Sequence, residues 1–230
     1  MTLDLFDDEP AAPQPPEWLE PGAVVLRGFA LAQAAQLLQA VEAVAARAPF
    51  RHLVTPGGKR MSVAMTNCGP LGWISDRSGY RYGPTDPLTG ERWPPMPAAF
   101  HALAREAAGA AGYPGFAPDA CLINRYSPGT RLSLHQDRDE GNYDHPIVSV
   151  SLGIPAVFLW GGAQRTDKAR RVGLLHGDVV VWGGPARLRF HGVLPLAEAA
   201  HALTGAQRIN LTFRRARQEP GPVSSAGGAA

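Results

Sequence analysis

The spacing of hydrophobic positions changes near residue 118. Before that point, residues 30–48 and 97–111 carry apolar side chains three and four positions apart, which predicts two amphipathic helices. After it, short runs rich in β-branched and aromatic residues are separated by Gly, Pro and Asp at intervals of roughly ten residues. We predict eight strands there, at 121–126, 132–137, 147–152, 156–160, 172–175, 179–182, 189–193 and 208–214. Eight short strands with flanking helices predict a mainly β fold whose core is a two-sheet jelly roll.

Composition divides the 230 residues into one body with two appendages. Residues 1–21 are acidic and proline-rich, and residues 217–230 are mostly small and polar, so we expect a flexible leader and a disordered tail. The segment between them, 22–216, has the size of a single domain. We expect the helices within 22–118 and the jelly-roll core within 119–216.

The sequence favours a cytoplasmic protein with no membrane partner. Its start, MTLDLFDDEP, lacks the basic and apolar regions of a secretory signal. No apolar run approaches the 18 residues of a membrane span. The two cysteines, Cys68 and Cys121, lack the spacing of a disulfide framework.

The net charge of +2 conceals an uneven distribution. The first 20 residues carry six acidic residues and no basic one, so the remaining chain carries +8. Of the 22 basic residues, 20 are arginine, whose planar fork suits carboxylates and phosphates. A basic body is compatible with a polyanionic partner, and an ordinary solvated surface explains the charge equally well.

One histidine and one carboxylate are predicted to share a strand face. Residues two apart on a strand project to the same side, so His135 and Asp137 point together. A structural histidine beside a surface acid would show the same pattern, and a third ligand is needed to decide. His191 is the histidine that lies inside a later predicted strand. Two histidines and one carboxylate on a barrel wall form the facial triad that binds Fe(II), although zinc accepts the same ligands.

The last predicted strand, 208–214, alternates between polar and apolar residues without a break. An edge strand with its polar face in water would alternate in the same way. Inside a barrel, however, the guanidiniums of Arg208 and Arg214 need an acid to offset their loss of hydration. A small dicarboxylate such as 2-oxoglutarate satisfies both arginines and chelates iron through its keto acid end. Asn124 and Tyr126, two apart on another strand, offer an amide and a phenol to the same ligand.

Four motifs extend this pattern. They are His-Gln-Asp-Arg-Asp-Glu at 135–140, Pro-Ile-Val-Ser-Val-Ser-Leu-Gly at 146–153, Gly-Asp-Val-Val-Val-Trp-Gly-Gly at 177–184 and Arg-x-Asn-x-Thr-x-Arg at 208–214. Together with segments 55–58, 61–69 and 121–126, they resemble the bacterial AlkB family of iron- and 2-oxoglutarate-dependent nucleic-acid dealkylases. The resemblance covers roughly residues 20–216 and implies a double-stranded β-helix (jelly roll) core.

The resemblance implies roles for particular residues. Iron would be held by His135, Asp137 and His191. The residues that would hold 2-oxoglutarate are Asn124, Tyr126, Arg208, Asn210 and Arg214. A lid over residues 61–82 would bring Trp73, Tyr80 and Tyr82 to the substrate, with Asp139 and Arg165 also facing it. We expect phosphate contacts from Lys59, Arg77, Arg81 and Arg165.

The resemblance also implies the reaction. The enzyme would hydroxylate the methyl group of bases such as 1-methyladenine or 3-methylcytosine while 2-oxoglutarate is decarboxylated and O2 is consumed, releasing formaldehyde and restoring the base. We expect alkylated DNA as the partner, with single strands preferred, RNA as a further candidate, and a monomeric protein. Two alternatives stay open: an iron and 2-oxoglutarate hydroxylase of a protein or small molecule, and a non-catalytic nucleic-acid-binding relative.

Three features depart from the family pattern. Arg138 stands where a lysine is expected, and loop 141–145 differs from the expected sequence. Arg189 stands two residues before His191, where an apolar or aromatic side chain is expected. These departures concern the surroundings of the iron site and substrate preference, not the triad.

Overall fold

The computed structural model describes residues 14–217. Its helices are α1 (Ala34–Arg47) and α2 (Ala98–Ala110), as the apolar spacing predicts. The strands of the described range are β1 (Glu17–Glu20), β2 (Ala23–Leu26), β3 (Ala64–Cys68), β4 (Gly72–Asp76), β5 (Gly79–Gly83), β6 (Ala120–Tyr126), β7 (Leu132–His135), β8 (Ile147–Gly153), β9 (Ala156–Trp160), β10 (Arg170–Leu174), β11 (Val179–Trp182), β12 (His191–Val193) and β13 (Arg208–Arg214).

Strands β6 to β13 form the two layers of a jelly roll, which confirms the predicted fold. One layer has the order β11-β8-β13-β6, and β2 with β1 extends it at one edge while β3 extends it at the other. We call this seven-stranded layer the major sheet. The minor sheet has the order β10-β9-β12-β7. A separate hairpin, β4 with β5, completes the strands of the described residues.

The prediction of a flexible leader over residues 1–21 is wrong for residues 17–20, which form β1. The reason is pairing: β1 lies antiparallel to β2, and its two glutamates bind arginines. The rest of the leader up to residue 13, and the predicted tail from residue 218, lie outside the described residues. The predicted boundary at residue 119 between the helical segment and the jelly-roll core is also inexact, because β2 and β3 precede it and belong to the major sheet.

Two hydrophobic cores lie on opposite faces of the major sheet. On the outer face, α1 and α2 pack against alternate residues of β8, β11 and β13, including Ile209, Leu211 and Phe213. On the inner face, the two sheets pack around Tyr126, Phe158 and Trp182. The polar face of β13 therefore points between the sheets, where a ligand can reach it. None of the helices within residues 14–217 is long and apolar enough to cross a membrane.

Candidate active site

The three predicted metal ligands meet between the sheets. His135 ends β7 and His191 begins β12, and the two residues are paired across these strands. Asp137 follows β7 by two residues, in a loop instead of the strand predicted for it. Its Oδ1 lies 3.6 Å from Nε2 of His135, and its Oδ2 lies 3.9 Å from Nε2 of His191. The three ligand atoms lie within 4.8 Å of one another, so one metal ion can bind all three.

Backbone carbonyls fix the tautomer of both histidines. Nδ1 of His135 donates to the carbonyl of Ser133 at 2.9 Å. Nδ1 of His191 donates to the carbonyl of Arg189 at 3.0 Å. A carbonyl oxygen can only accept, so each Nδ1 carries the proton and each Nε2 keeps its lone pair. Both rings are therefore oriented to bind a metal through Nε2.

Burial keeps the more enclosed histidine neutral. The side chain of His191 is 7% exposed, against 32% for His135. Burial, and then repulsion from His135, lower the pKa of His191 to about 4. A neutral imidazole is the form that binds a metal, so the His191 ring is ready to act as a ligand at neutral pH.

Arg214 keeps the ligand carboxylate ionised. Its Nε and Nη2 donate to Oδ2 of Asp137 at 3.1 and 2.7 Å. Burial by itself would raise the pKa of Asp137, but the Arg214 charge, with help from the two histidines, holds this pKa below its ordinary value. Asp137 is thus an anion at every pH where the protein is expected to work.

The inner face of β13 leaves hydrogen-bonding groups without partners. Arg208 is 2% exposed, and its Nη2 donates to Oγ of Ser151 at 2.8 Å. Within residues 14–217, the buried side-chain atoms without a hydrogen-bond partner are Nε and Nη1 of Arg208, Oδ1 of Asn124 and Nε1 of Trp182. Native proteins rarely bury unpaired polar atoms, and here all of them belong to residues that line one cavity. The unpartnered donors of Arg208 fit the carboxylate oxygens of an acidic cosubstrate.

Neighbouring residues hold Arg208 and Asn124 in place. Nδ2 of Asn124 donates to Oδ1 of Asn210 at 3.1 Å, and Nδ2 of Asn210 donates to Oγ of Ser149 at 2.8 Å. The guanidinium carbon of Arg208 lies 5.0 Å from the ring centre of Tyr126. The two arginines of β13 have different neighbours: Arg208 has two nitrogens, Nε and Nη1, without a protein partner, whereas Arg214 is bound to Asp137.

The β4–β5 hairpin covers the same cavity with aromatic rings. Trp73 and Tyr80 stack with their centres 5.5 Å apart and their planes 14° from parallel. Nε1 of Trp73 donates to Oδ2 of Asp139 at 2.7 Å, which joins the hairpin to the loop after β7. Tyr80 is 45% exposed, so the stack is open to the surface. A planar ligand has room to meet aromatic faces here.

Twelve of the thirteen predicted site residues line one cavity of about 830 Å3. They are Trp73, Tyr80, Asn124, Tyr126, His135, Asp137, Asp139, Arg165, His191, Arg208, Asn210 and Arg214. Tyr82 is the exception: it does not line the cavity, and its hydroxyl donates to Oε1 of Glu140 at 2.8 Å. Of the predicted phosphate contacts, Lys59 and Arg165 line the cavity. Arg81 instead binds Asp76 at 2.6 Å.

Glu140 and Arg187 are buried residues to which the sequence assigned no role. Besides the Tyr82 hydroxyl, Glu140 binds Nε of Arg214 at 3.2 Å and Nη2 of Arg187 at 3.1 Å. Arg187 also donates to the carbonyl of Asp137 at 3.0 Å. Glu140 thus connects the hairpin, the metal-ligand loop and β13. The signal available in sequence was an acid three residues after Asp137, but its partners are distant along the chain.

The departures found in the sequence have structural partners. Loop 141–145 is covered by Arg187, whose guanidinium lies 5.3 Å from the Tyr143 ring, and the Tyr143 hydroxyl donates to the carbonyl of Arg138. Arg189 binds Glu20 of β1 instead of entering the cavity. The side chain that replaces an expected apolar residue is therefore balanced by an acid from the N-terminal strand.

A jelly roll that holds a His-Asp-His triad beside a buried arginine defines the iron- and 2-oxoglutarate-dependent oxygenases. The model of the 2OG-Fe(II) oxygenase superfamily matches residues 22–214. The chain is 58% identical over 217 residues to the alpha-ketoglutarate-dependent dioxygenase AlkB of Escherichia coli K12, covering 93% of this chain and 98% of the relative. It is 57% identical over 217 residues to the dioxygenase of the same name from Salmonella typhimurium LT2, covering 94% of this chain and 99% of the relative.

A solved structure supports the same assignment. The structure of OsALKBH1 matches with a TM-score of 0.78 at 32% identity, covering 87% of this chain and all of that one. The chain therefore belongs to the AlkB family within the 2OG-Fe(II) oxygenase superfamily. Its cofactor is Fe(II), with 2-oxoglutarate and O2 as cosubstrates.

Proposed function

We propose that this protein is a DNA-repair dioxygenase that removes methyl groups from the pairing edge of bases such as 1-methyladenine and 3-methylcytosine. The observation that carries the proposal is the position of the Trp73–Tyr80 stack and Asp139, on the same cavity as the metal triad. An oxygenase of small molecules or proteins has no need for a stacked aromatic pair on the cavity of the metal triad. A methylated, positively charged base does.

The donor set determines how the cofactors would be held. His135, Asp137 and His191 would hold iron. The unpartnered Nε and Nη1 of Arg208 suit the distant carboxylate of 2-oxoglutarate, and Asn124, Tyr126 and Asn210 lie beside this arginine. When bound, iron and 2-oxoglutarate supply the activation of O2 that oxidises the methyl carbon. Arg214 contributes indirectly, because it keeps Asp137 charged and correctly oriented.

The surroundings of the cavity select a cationic, flat substrate. Trp73 can place an aromatic face against the base, and Asp139 adds negative charge nearby. Methylation of the pairing edge prevents normal pairing, so moving a damaged base out of the stack costs less than moving an intact one. With a base bound, the lid and the loop after β7 would limit the access of water to the methyl group, which would protect the site against unproductive oxidation.

Basic side chains surround the entrance. Lys59, Arg60, Arg131, Arg138 and Arg165 all line the cavity. Such residues bind phosphates without reading sequence, in keeping with an enzyme that acts wherever damage occurs. A single strand reaches the cavity without unpairing, so we expect single-stranded DNA to be preferred, with RNA as a further substrate. A monomer in the cytoplasm completes the proposal.

A panel of alkylated oligonucleotides tests the substrate class. Purified protein with Fe(II) and 2-oxoglutarate would be incubated with DNA and RNA strands carrying one 1-methyladenine, 3-methylcytosine or 7-methylguanine, and products would be measured by mass spectrometry. We expect repair of the first two bases, whose methyl group lies on the pairing edge. Repair of all three at equal rates, or of none, would overturn the proposal. A parallel reaction with the variant Asp137→Ala, which lacks a metal ligand, controls for contaminating activity.

A further inference from the structure

The N-terminal strand β1 connects the two sheets at the metal site. It pairs with β2 in the major sheet, but both of its glutamates bind residues of the minor sheet or its loops. Glu17 accepts a hydrogen bond from Arg170 of β10 at 2.6 Å. Glu20 binds Arg189, which lies just before β12. An edge strand that reaches across in this way fixes one sheet relative to the other.

Glu20 makes the larger set of contacts. Its Oε1 accepts hydrogen bonds from Nε1 of Trp160 at 2.8 Å and from Nε of Arg189 at 3.0 Å. Its Oε2 accepts from Nε of Arg189 at 3.1 Å and also from Nη2. The side chains are only 22% and 30% exposed for Glu20 and Arg189. A bidentate, half-buried ion pair of this kind restricts the relative positions of its two side chains more strongly than a surface ion pair does.

Both partners of Glu20 adjoin the metal ligand His191. The carbonyl of Arg189 accepts the Nδ1 proton of His191 and so sets the orientation of its ring. Trp160 of β9 is the residue paired with His191 across the two strands. One carboxylate therefore holds the residue that orients the ring and the residue that lies opposite it.

We propose that Glu20 is a positioning residue for the iron ligand His191, acting through Arg189 and Trp160. This explains why an arginine occupies position 189: its side chain is directed to Glu20, and its carbonyl is thereby held where it accepts the Nδ1 proton of His191. Groups that support ligands of a metal commonly change metal affinity ten- to a hundredfold when they are removed. The proposal rests on the proposed function only through the metal site, not through the choice of substrate.

Binding of Co(II) alone tests the proposal on the full-length protein. Co(II) absorbs visible light, and its spectrum reports the number and arrangement of its ligands. We would measure the dissociation constant and the spectrum for the parent, Glu20→Ala and Glu20→Gln. Glu17→Ala is the matched control, because it removes an ion-paired glutamate from the same strand without touching a neighbour of His191. Circular dichroism would verify that each variant is folded.

We expect Glu20→Ala to weaken Co(II) binding about tenfold and to change the spectrum. Glu20→Gln keeps an oxygen that can accept from Trp160 and should lose less Co(II) affinity, while Glu17→Ala should match the parent in affinity and spectrum. If Glu20→Ala does not fold, Glu20→Gln decides. Equal affinity and spectra for Glu20→Gln and parent would then overturn the proposal, as would equal losses for the Glu17 and Glu20 variants.

A double variant tests whether Glu20 acts through Arg189. Arg189→Leu removes the arginine side chain but keeps the carbonyl that binds His191. If the two residues act as a pair, Glu20→Ala with Arg189→Leu should bind Co(II) no more weakly than Glu20→Ala alone. If the losses in Co(II) affinity of the two single variants multiply in the double variant, the two side chains act independently and the proposal is contradicted. Since Co(II) binding needs no nucleic acid, failure here is distinguishable from failure of the proposed function.

Discussion

Arg208→Met should weaken cosubstrate binding without destabilising the cosubstrate-free protein. The Arg208 side chain is 2% exposed, and its Nε and Nη1 have no protein partner. With 2-oxoglutarate bound, these groups meet a carboxylate, and removing one member of such a buried pair costs about 3 kcal/mol or more. A loss of 3 kcal/mol corresponds to roughly a hundredfold weaker binding. Without cosubstrate, the same guanidinium is a buried charge whose Nε and Nη1 lack partners, so methionine should leave the protein equally stable or more stable.

Two measurements on the same variant check this prediction. Calorimetric titration of 2-oxoglutarate into the Mn(II)-loaded protein would give the affinity, and urea unfolding of the free protein would give the stability. Arg208→Lys is the control, because it keeps a charge but loses the planar fork. The reasoning would be refuted if Arg208→Met bound 2-oxoglutarate like the parent. It would also be refuted if the free variant were several kcal/mol less stable, because the arginine would then have a structural partner.

Four further predictions concern the lid, the metal site and the entrance. Trp73→Ala should raise the KM for a 1-methyladenine oligonucleotide about tenfold or more and leave the affinity for 2-oxoglutarate unchanged, because base stacking on an aromatic ring contributes about 1–3 kcal/mol. Equal weakening of oligonucleotide binding and of 2-oxoglutarate binding would contradict a stacking role. Tyr82→Phe removes the bond to Glu140 and should lower the free energy of unfolding in urea by about 1–2 kcal/mol, without changing Mn(II) affinity. Burial lowers the pKa of His191 to about 4, so the unfolded chain takes up this proton at a higher pH than the folded protein does. The free energy of unfolding of the metal-free protein should therefore fall as the pH drops from 6.5 towards 4. Urea unfolding of His191→Gln should show a smaller fall than the parent over that window. Arg165→Gln should reduce by about one the slope of log affinity against log salt for a single-stranded oligonucleotide, and an unchanged slope would remove Arg165 from the phosphate contacts.

The jelly-roll strands could be predicted because short runs rich in β-branched and aromatic residues end at clear turns. Strand β13 is the best case, since its apolar residues are buried against the helices and its polar ones face the cavity. The strands that were missed lack this signal. Ala23–Leu26 is an unbroken apolar run, and Ala64–Cys68 places its polar residues Thr66 and Asn67 side by side, so neither alternates between polar and apolar residues. Their place in the sheet depends on partners far along the chain.

The metal ligands could be predicted because two of them are two residues apart and the third lies in a strand. The supporting network could not be predicted in this way. Glu140 binds Tyr82 and Arg187, which are separated from it by 58 and 47 residues. Likewise, Arg189 stood out in the sequence as unexpected, but its partner Glu20 is 169 residues away in a segment expected to be flexible. Ion pairs of this kind follow from the fold and are not visible in local patterns.

The most direct test of the account is a single turnover under controlled oxygen. Anaerobic protein with Fe(II), 2-oxoglutarate and a single-stranded oligonucleotide bearing one 1-methyladenine would be exposed to O2, and succinate, formaldehyde and unmodified adenine would be quantified together. We predict that the three products appear in equal amounts and only after O2 is added. Succinate without repaired adenine would show an oxygenase of another substrate, and the absence of all three products would contradict the assignment of the site itself.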